Sequence, residues 1–387
     1  MAYYCQQFNI WVEETIEQPV ESWVNETREK CEEQECNWWV LCLNKIVCWT
    51  VVVTVKVISY VLITVPKMIT VFVCELVSMP VIFIISEIQP ALCFLGINFP
   101  SSNNFDLSLA IKLAKVSLTV YQEENEADFT EIDPNFEVVD FFQFQGFNFG
   151  NIYTDTQVYI LKDSSTSTLI VGFRGSQPNF PDWFNDLSAI PFPYFPGSMG
   201  TLLHAGFLGA YNTIRKDLIT VLLTKIAEEG IEQIYFTGHS LGGALATVAS
   251  YDFKLLISQN ITIKTYTYGA PKVGNVYFAY DYNGLLPETF RVVNLGDPVP
   301  ELPATGGPVK YRHVKNMVYL TAPGEMSIEP CPQPIYDWTN ELGKYLPPGV
   351  DLVTTYAEAL ITVVWSAAQG FPHHDMNEYI SNLESLN

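Results

Sequence analysis

Residues 238–242 read Gly-His-Ser-Leu-Gly, between the apolar run Ile234-Tyr235-Phe236 and the small-residue run Gly243 to Ser250. An apolar run that meets glycine and then small helix formers predicts a strand, a sharp turn and a helix. A chain with that unit is steered toward an α/β fold, because helices are what connect parallel strands. The turn strains the backbone at Ser240, and Gly238 and Gly242 leave the space that a Cβ would fill. The Ser240 hydroxyl then projects from the top of the sheet. The Leu241 N–H, at the helix start, points into the same space. The five-residue string also occurs in ordinary turns; its strand and helix flanks are what favour a nucleophile.

The pattern on either side of this turn agrees. From residue 97 onward the chain reads as alternating strands and helices, which predicts a mostly parallel central sheet. Leu107 to Tyr121 reads as an amphipathic helix, with Leu109, Ile111, Leu113, Ala114 and Val116 apolar. Strands are expected at Phe136–Phe144, Gln157–Leu161 and Thr168–Phe173, and again at Ile263–Tyr268, Phe290–Asn294 and Val314–Leu320. A long helix from about Phe207 to Glu229 stops at Gly230.

The first hundred residues differ. Residues 1–37 form an acidic lead with nine Glu against Arg28 and Lys30, and no secretory signal is visible there. Residues 38–96 are almost wholly apolar, and apart from Cys and Tyr only Lys45, Lys56, Lys67, Glu75 and Glu87 ionise. Ile46 to Val65 is 20 residues with Lys56 as its one charge, long enough to span a bilayer. Met68 to Ile85 follows after Pro66-Lys67, so a membrane hairpin pairing Lys56 with Glu75 is one reading. Lys45, Lys56 and Lys67 recur every 11 residues, which instead suits a straight helix lying on a membrane or a partner. The Val, Ile and Thr of 50–65 also suit strands, and packing into a core or an oligomer is a further reading.

Charge and cysteine content exclude some classes. The formal net charge is -22, which argues against nucleic acid as a partner. Seven of eight cysteines lie within the first 93 residues, and beyond them stands only Cys331. No C-x-x-C pair or zinc-spaced Cys/His cluster occurs, so no metal site is expected. A catalytic part with one cysteine leans toward a reducing compartment. The expected location is therefore membrane-associated or cytoplasmic.

A nucleophilic serine needs a base, an orienting acid and oxyanion donors. Five histidines are available: 204, 239, 313, 373 and 374. His239 adjoins Ser240, and neighbouring side chains at such a turn diverge. His204, in His-Ala-Gly-Phe at a helix start, suits packing or a backbone hydrogen bond. The order nucleophile, acid, base leaves His313, His373 and His374. Asp297 follows Arg-Val-Val-Asn-Leu-Gly, just past the end of an expected strand, where active groups of parallel sheets collect. An Asp before Pro298 can equally begin a turn.

These residues resemble a known family. Tyr235-Phe-Thr-Gly-His-Ser-Leu-Gly-Gly-Ala-Leu-Ala246 looks like the nucleophile elbow of the fungal-type triacylglycerol lipases, the class 3 lipase family. Gly172-Phe-Arg-Gly-Ser176, with Asp182-Trp183 and Asp186-Leu187 after it, is similar to the family's oxyanion strand and lid start. His204-Ala-Gly-Phe207, Tyr268-Gly-Ala-Pro-Lys-Val-Gly-Asn275 and Asn294-Leu-Gly-Asp-Pro-Val-Pro300 match in the same order, so the resemblance runs from about 105 to 320. It implies an α/β-hydrolase fold over 97–387, with Ser240 as nucleophile, Asp297 as acid and His374 as base. His374 fits the family's late histidine better than His373, one place out of frame. The resemblance further implies Ser176 and Leu241 as oxyanion donors, and Asp186 and Trp183 as lid residues, with Asp186 holding the Ser176 hydroxyl. His313 falls on a family strand where histidine is not the base.

Two departures stand out. The secreted fungal members rely on disulfides that residues 97–387 cannot make internally. The stretch between Leu320 and His373 is too long for a plain connection and includes the apolar run Leu352 to Ala368.

The implied chemistry is hydrolysis of acylglycerol-type esters at a lipid–water interface through an acyl-enzyme, with no cofactor. Phospholipase A1-type hydrolysis, acyl transfer to a lipid alcohol, and a membrane-binding effector with an inactive lipase domain are the alternatives. A membrane role for 38–96 predicts that the full chain floats with liposomes while a chain beginning at Ile97 does not. Equal flotation of the two would reject it.

Overall fold

The computed structural model describes residues 104–147, 153–175, 191–194, 196, 197, 200–257, 260–303, 311–329 and 373–387. The readings of 1–37, 38–96 and Leu352 to Ala368 fall outside these residues, as do Ser176, Trp183 and Asp186.

Strands β1 (Phe136–Phe147), β2 (Tyr153–Asp163) and β3 (Thr168–Phe173) form an antiparallel meander. From β3 the pairing turns parallel, through β6 (Gln233–His239), β7 (Thr262–Tyr268), β9 (Thr289–Asn294) and β11 (Met317–Ala322). Strand β12 (Glu325–Glu329) closes the far edge antiparallel to β11. Among the described residues the sheet therefore has eight strands in the order β1-β2-β3-β6-β7-β9-β11-β12. A smaller antiparallel sheet joins β4 (Pro191–Pro193), β5 (Leu202–His204), β8 (Gly274–Asn275) and β10 (Tyr311–Arg312).

The parallel connections from β3 to β9 contain helices, as such crossovers usually do. Helix α2 (Ala205–Glu229) precedes β6, α3 (Leu241–Leu256) follows it, and α4 (Val276–Leu285) leads to β9. Period-two alternation sorts strand side chains to two cores. Leu169, Val171 and Phe173 of β3, with Ile234 and Phe236 of β6, pack against α2 and α3. Ile170, Tyr235, Tyr266 and Phe290 face α1 (Leu107–Thr119) and α5 (Met376–Glu384) on the other side. With both faces covered, β3 and β9 are buried at every position, as in buried parallel sheets.

Polar contacts pin α1 to this sheet. Its Ser117 hydroxyl meets that of Thr237 on β6 at 2.9 Å, and the Tyr268 hydroxyl donates to the Ala110 carbonyl at 2.5 Å. Helix α1 runs to Thr119, its buried positions including Ala110 and Ser117, while Leu109 and Ile111 are half-buried. Small residues permit the close approach. The expected strand Val314–Leu320 begins only at Met317, because Asn316 turns left-handed at φ 59° and the Val314 carbonyl accepts from Arg291 Nε. The expected helix end at Gly230 is a left-handed C-cap with φ 62°.

One buried carboxylate ties the elbow helix to α2. Asp252 of α3 is wholly buried and accepts from Tyr211 Oη at 2.7 Å, from Arg215 Nε at 2.7 Å and Nη2 at 3.0 Å, and from the Tyr194 hydroxyl. Removing the carboxylate leaves two hydroxyls and a guanidinium facing one another. Asp252→Ala should therefore lower stability by about 3 kcal/mol, the scale for breaking a buried ion pair. Urea unfolding followed by tryptophan fluorescence would show it, and a midpoint equal to wild type would show that the cluster contributes nothing.

Candidate active site

Strand β6 delivers Ser240 at the carboxyl edge of the sheet. Ser240 has φ 56° and ψ -126°, a region side-chain-bearing residues rarely occupy. Its N–H donates to the Tyr268 carbonyl at 2.9 Å, and its own carbonyl accepts from the Gly243 N–H at 3.0 Å. The turn closes only because its flanks lack side chains. A Cβ on Gly238 would lie 2.4 Å from the Gly242 carbonyl, and one on Gly242 would lie 2.2 Å from the Phe173 oxygen. Leu241 opens α3, so its N–H belongs to the first helical turn, which has no acceptor within the helix. Among the described residues the buried Ser240 Oγ has no hydrogen-bond partner.

The acid comes from the loop after β9. Asp297 is 1% exposed and accepts three hydrogen bonds: from the Val299 N–H at 2.9 Å, from His374 Nδ1 at 2.8 Å and from the Tyr379 hydroxyl at 2.6 Å. With the carboxylate holding Nδ1–H, the neutral His374 ring presents Nε2 as its basic nitrogen. Both groups rest on Gly269, where a Cβ would lie 2.7 Å from Asp297 Oδ2 and 2.9 Å from His374 Nδ1. Gly269 directly follows Tyr268, whose carbonyl holds the Ser240 N–H. The end of β7 thus meets all three residues: Tyr268 holds Ser240, and Gly269 lies against Asp297 and His374.

The other histidines lie elsewhere. His373 has φ 64° and sends its half-exposed ring to Glu378, Nδ1 to Oε1 at 2.7 Å. His313 Nε2 donates to the Pro300 carbonyl at 2.6 Å. His204 caps α2, its Nδ1 accepting from the Gly206 N–H at 3.2 Å, and its ring stacks on Phe207. Among the described residues no group of three or more His, Cys, Asp or Glu could hold a metal, and no helix is long and apolar enough to cross a membrane.

Sequence reasoning passed over three supporting groups. Tyr379 sits five places after His374 on α5, and its hydroxyl both donates to Asp297 and accepts from the Asn294 N–H at 3.1 Å. Asn294 Nδ2 donates to the His373 carbonyl at 3.1 Å, holding the backbone beside His374. His239 does diverge from Ser240, but it lands against His374, the two rings 4.5 Å apart. Only the period of α5, with Met376, Tyr379 and Leu383 on one face, pointed inward in the sequence.

The profile of the class 3 lipases matches residues 170–306, which contain Ser240 and Asp297. Residues 170–306 of this chain are thus similar to the class 3 lipase family. The lipase of Rhizomucor miehei is 32% identical over 182 residues, covering 46% of this chain and 48% of that protein. The secreted mono- and diacylglycerol lipase A of Penicillium cyclopium is 29% identical over 204 residues, covering 52% and 64%. The match thus spans less than two thirds of either relative. The lipase structure from Rhizopus microsporus var. chinensis superposes with a TM-score of 0.52 at 26% identity, covering 67% of this chain and 88% of that one. The fold of this chain is accordingly of the α/β-hydrolase type.

Burial keeps three of its histidines neutral. It lowers His204 to about 4. It pushes His239 and His313 well below 6.5, helped by His374 beside the first and by Arg291 and Lys272 beside the second. Each folded-state value lies below the unfolded one, so the stabilisation is complete above about pH 6.5 and is lost as pH falls below it. Three such groups give a slope of about 4 kcal/mol per pH unit once the unfolded chain holds all three protons. Urea midpoints should therefore drop steeply from pH 6.5 to 5. A flat profile there would mean that these rings accept protons in the fold.

Proposed function

We propose that this chain is a serine carboxylic ester hydrolase acting on acylglycerol-type lipid esters. The observation that carries the reading is the Asp297–His374 pair at 2.8 Å, seated on Gly269 beside the strained Ser240. The related proteins named as lipases supply the substrate class.

The geometry supports the following sequence. His374 Nε2 takes the proton of the Ser240 hydroxyl as Oγ attacks the ester carbonyl carbon. Asp297 holds Nδ1–H and stabilises the imidazolium. The carbonyl oxygen becomes an oxyanion, held by the Leu241 N–H. By the family resemblance Ser176 gives the second donor. One such donor is worth about 10²–10³ in rate. Collapse breaks the bond to the alcohol oxygen, which leaves with the proton from His374. Water then yields a proton to His374 and attacks the acyl carbon, releasing the fatty acid and restoring Ser240. No step needs a metal or an organic cofactor.

The aromatic residues of 178–196, among them Phe180, Trp183, Phe184 and Phe192, support a lipid substrate over a small polar ester. Phe192 is exposed, as a side chain that meets lipid would be.

Ser240→Ala should reduce hydrolysis of p-nitrophenyl butyrate by four orders of magnitude or more. Retention of the wild-type rate would remove the serine mechanism. The same pair of proteins tested on triacylglycerol, diacylglycerol and phosphatidylcholine identifies the lipid class. Release of acid from phosphatidylcholine alone, or acyl transfer to an added alcohol in place of hydrolysis, would replace the acylglycerol assignment.

A further inference from the structure

His239 and Tyr121 lie outside the set of groups that move protons or hold the oxyanion, yet both are buried against it. Tyr121 follows the end of α1, and its hydroxyl sits 3.0 Å from His239 Nδ1. His239 Nε2 lies 2.9 Å from the His374 carbonyl oxygen. A carbonyl only accepts, so Nε2 carries a proton. Burial holds the ring well below its ordinary value, so it is neutral and Nδ1 carries none. The Tyr121 hydroxyl must then donate to Nδ1. Its oxygen accepts in turn from the Gly175 N–H, just past β3. The four groups form one directed chain: Gly175 N–H to Tyr121 Oη, Tyr121 O–H to His239 Nδ1, and His239 Nε2–H to the His374 carbonyl.

Packing supports that direction. A Cβ on Gly175 would lie 2.1 Å from the Tyr121 oxygen and 2.7 Å from the His239 carbonyl, so this corner has no slack. The His239 ring faces the Tyr121 ring at 6.1 Å, the His374 ring at 4.5 Å and the Tyr379 ring at 6.0 Å. His374 thus has its ring fixed by Asp297 and its backbone fixed by His239.

We infer that His239 and Tyr121 are positioning residues, which fix the backbone of His374 and couple it to the strand end that leads into the oxyanion side of the site. The inference rests on the serine hydrolase reading above. Hydrogen-bond chains of this kind strengthen link by link, and they transmit the loss of any one member. Without the Tyr121 hydroxyl, the buried Nδ1 loses its donor and only the His374 carbonyl still favours the Nε2–H tautomer. With the proton on Nδ1, a lone pair would face the His374 carbonyl and push the base away.

The test uses the full chain and a soluble ester, p-nitrophenyl butyrate. Tyr121→Phe removes a single oxygen from a packed ring. His239→Gln can keep a donor to the His374 carbonyl, and His239→Leu cannot. We expect Tyr121→Phe and His239→Leu to lower kcat tenfold or more with KM within twofold, the signature of a misplaced catalytic group. His239→Gln should recover most of the loss seen in His239→Leu. The double variant Tyr121→Phe/His239→Leu should be no slower than His239→Leu alone, since both act through one chain. A Tyr121→Phe enzyme within twofold of wild-type kcat would overturn the inference, as would equal losses in the Gln and Leu variants. If His239→Leu does not fold, Tyr121→Phe still decides. Ser240→Ala measured alongside separates the two readings: an inactive Ser240→Ala with a fully active Tyr121→Phe removes the positioning role and leaves the serine mechanism intact.

Discussion

The close contact between the start of α3 and the end of β3 is the constraint from which the rest of the site follows. The Phe173 oxygen occupies the space a Gly242 side chain would need. That contact fixes where α3 begins, and so where the Leu241 N–H points. It also forces the chain through Ser240 at φ 56°, at a cost of about 1–3 kcal/mol that the surrounding structure must offset. The offset is visible: β6 is paired on both sides, and buried apolar layers cover both of its faces.

The buried carboxylates Asp297 and Asp252 are satisfied in sets. Asp297 has three donors on its two oxygens, one from its own loop and two from the α5 region. Asp252 has four bonds, from α2 and from Tyr194. In each case a carboxylate far down the chain from its partners joins elements that apolar packing alone would let slide. The same logic explains the neutral histidines. A ring that shares a core with a cation or with another ring stays uncharged, and its two nitrogens then divide into one donor and one acceptor.

Much of this was legible in the sequence, for identifiable reasons. The elbow was readable because its glycines are demanded by backbone contact, a local requirement that leaves a local signature. Strands β3, β6, β7 and β9 were readable because burial on both faces fills them with β-branched and aromatic residues. Short pieces such as β8 and β10, two residues each, were not, since their pairing depends on partners far away in the chain. The start of β11 was misplaced because the left-handed Asn316 interrupts an apolar run that looks unbroken on paper. His374 could be chosen over His373 only through family resemblance; in space the two are distinguished by which carboxylate each ring meets, Asp297 or Glu378. His239 and Tyr121 were illegible because 118 residues separate them.

The placement of His374 after β11 and β12 has a consequence for how the site is assembled. Ribosomal synthesis delivers the elbow, its sheet and the acid loop well before it delivers α5. Until then the serine has neither base nor covering helix, and the apolar face of α1 that receives Tyr379 and Leu383 is bare. Docking of a single nine-residue helix then completes the core and supplies the proposed base together.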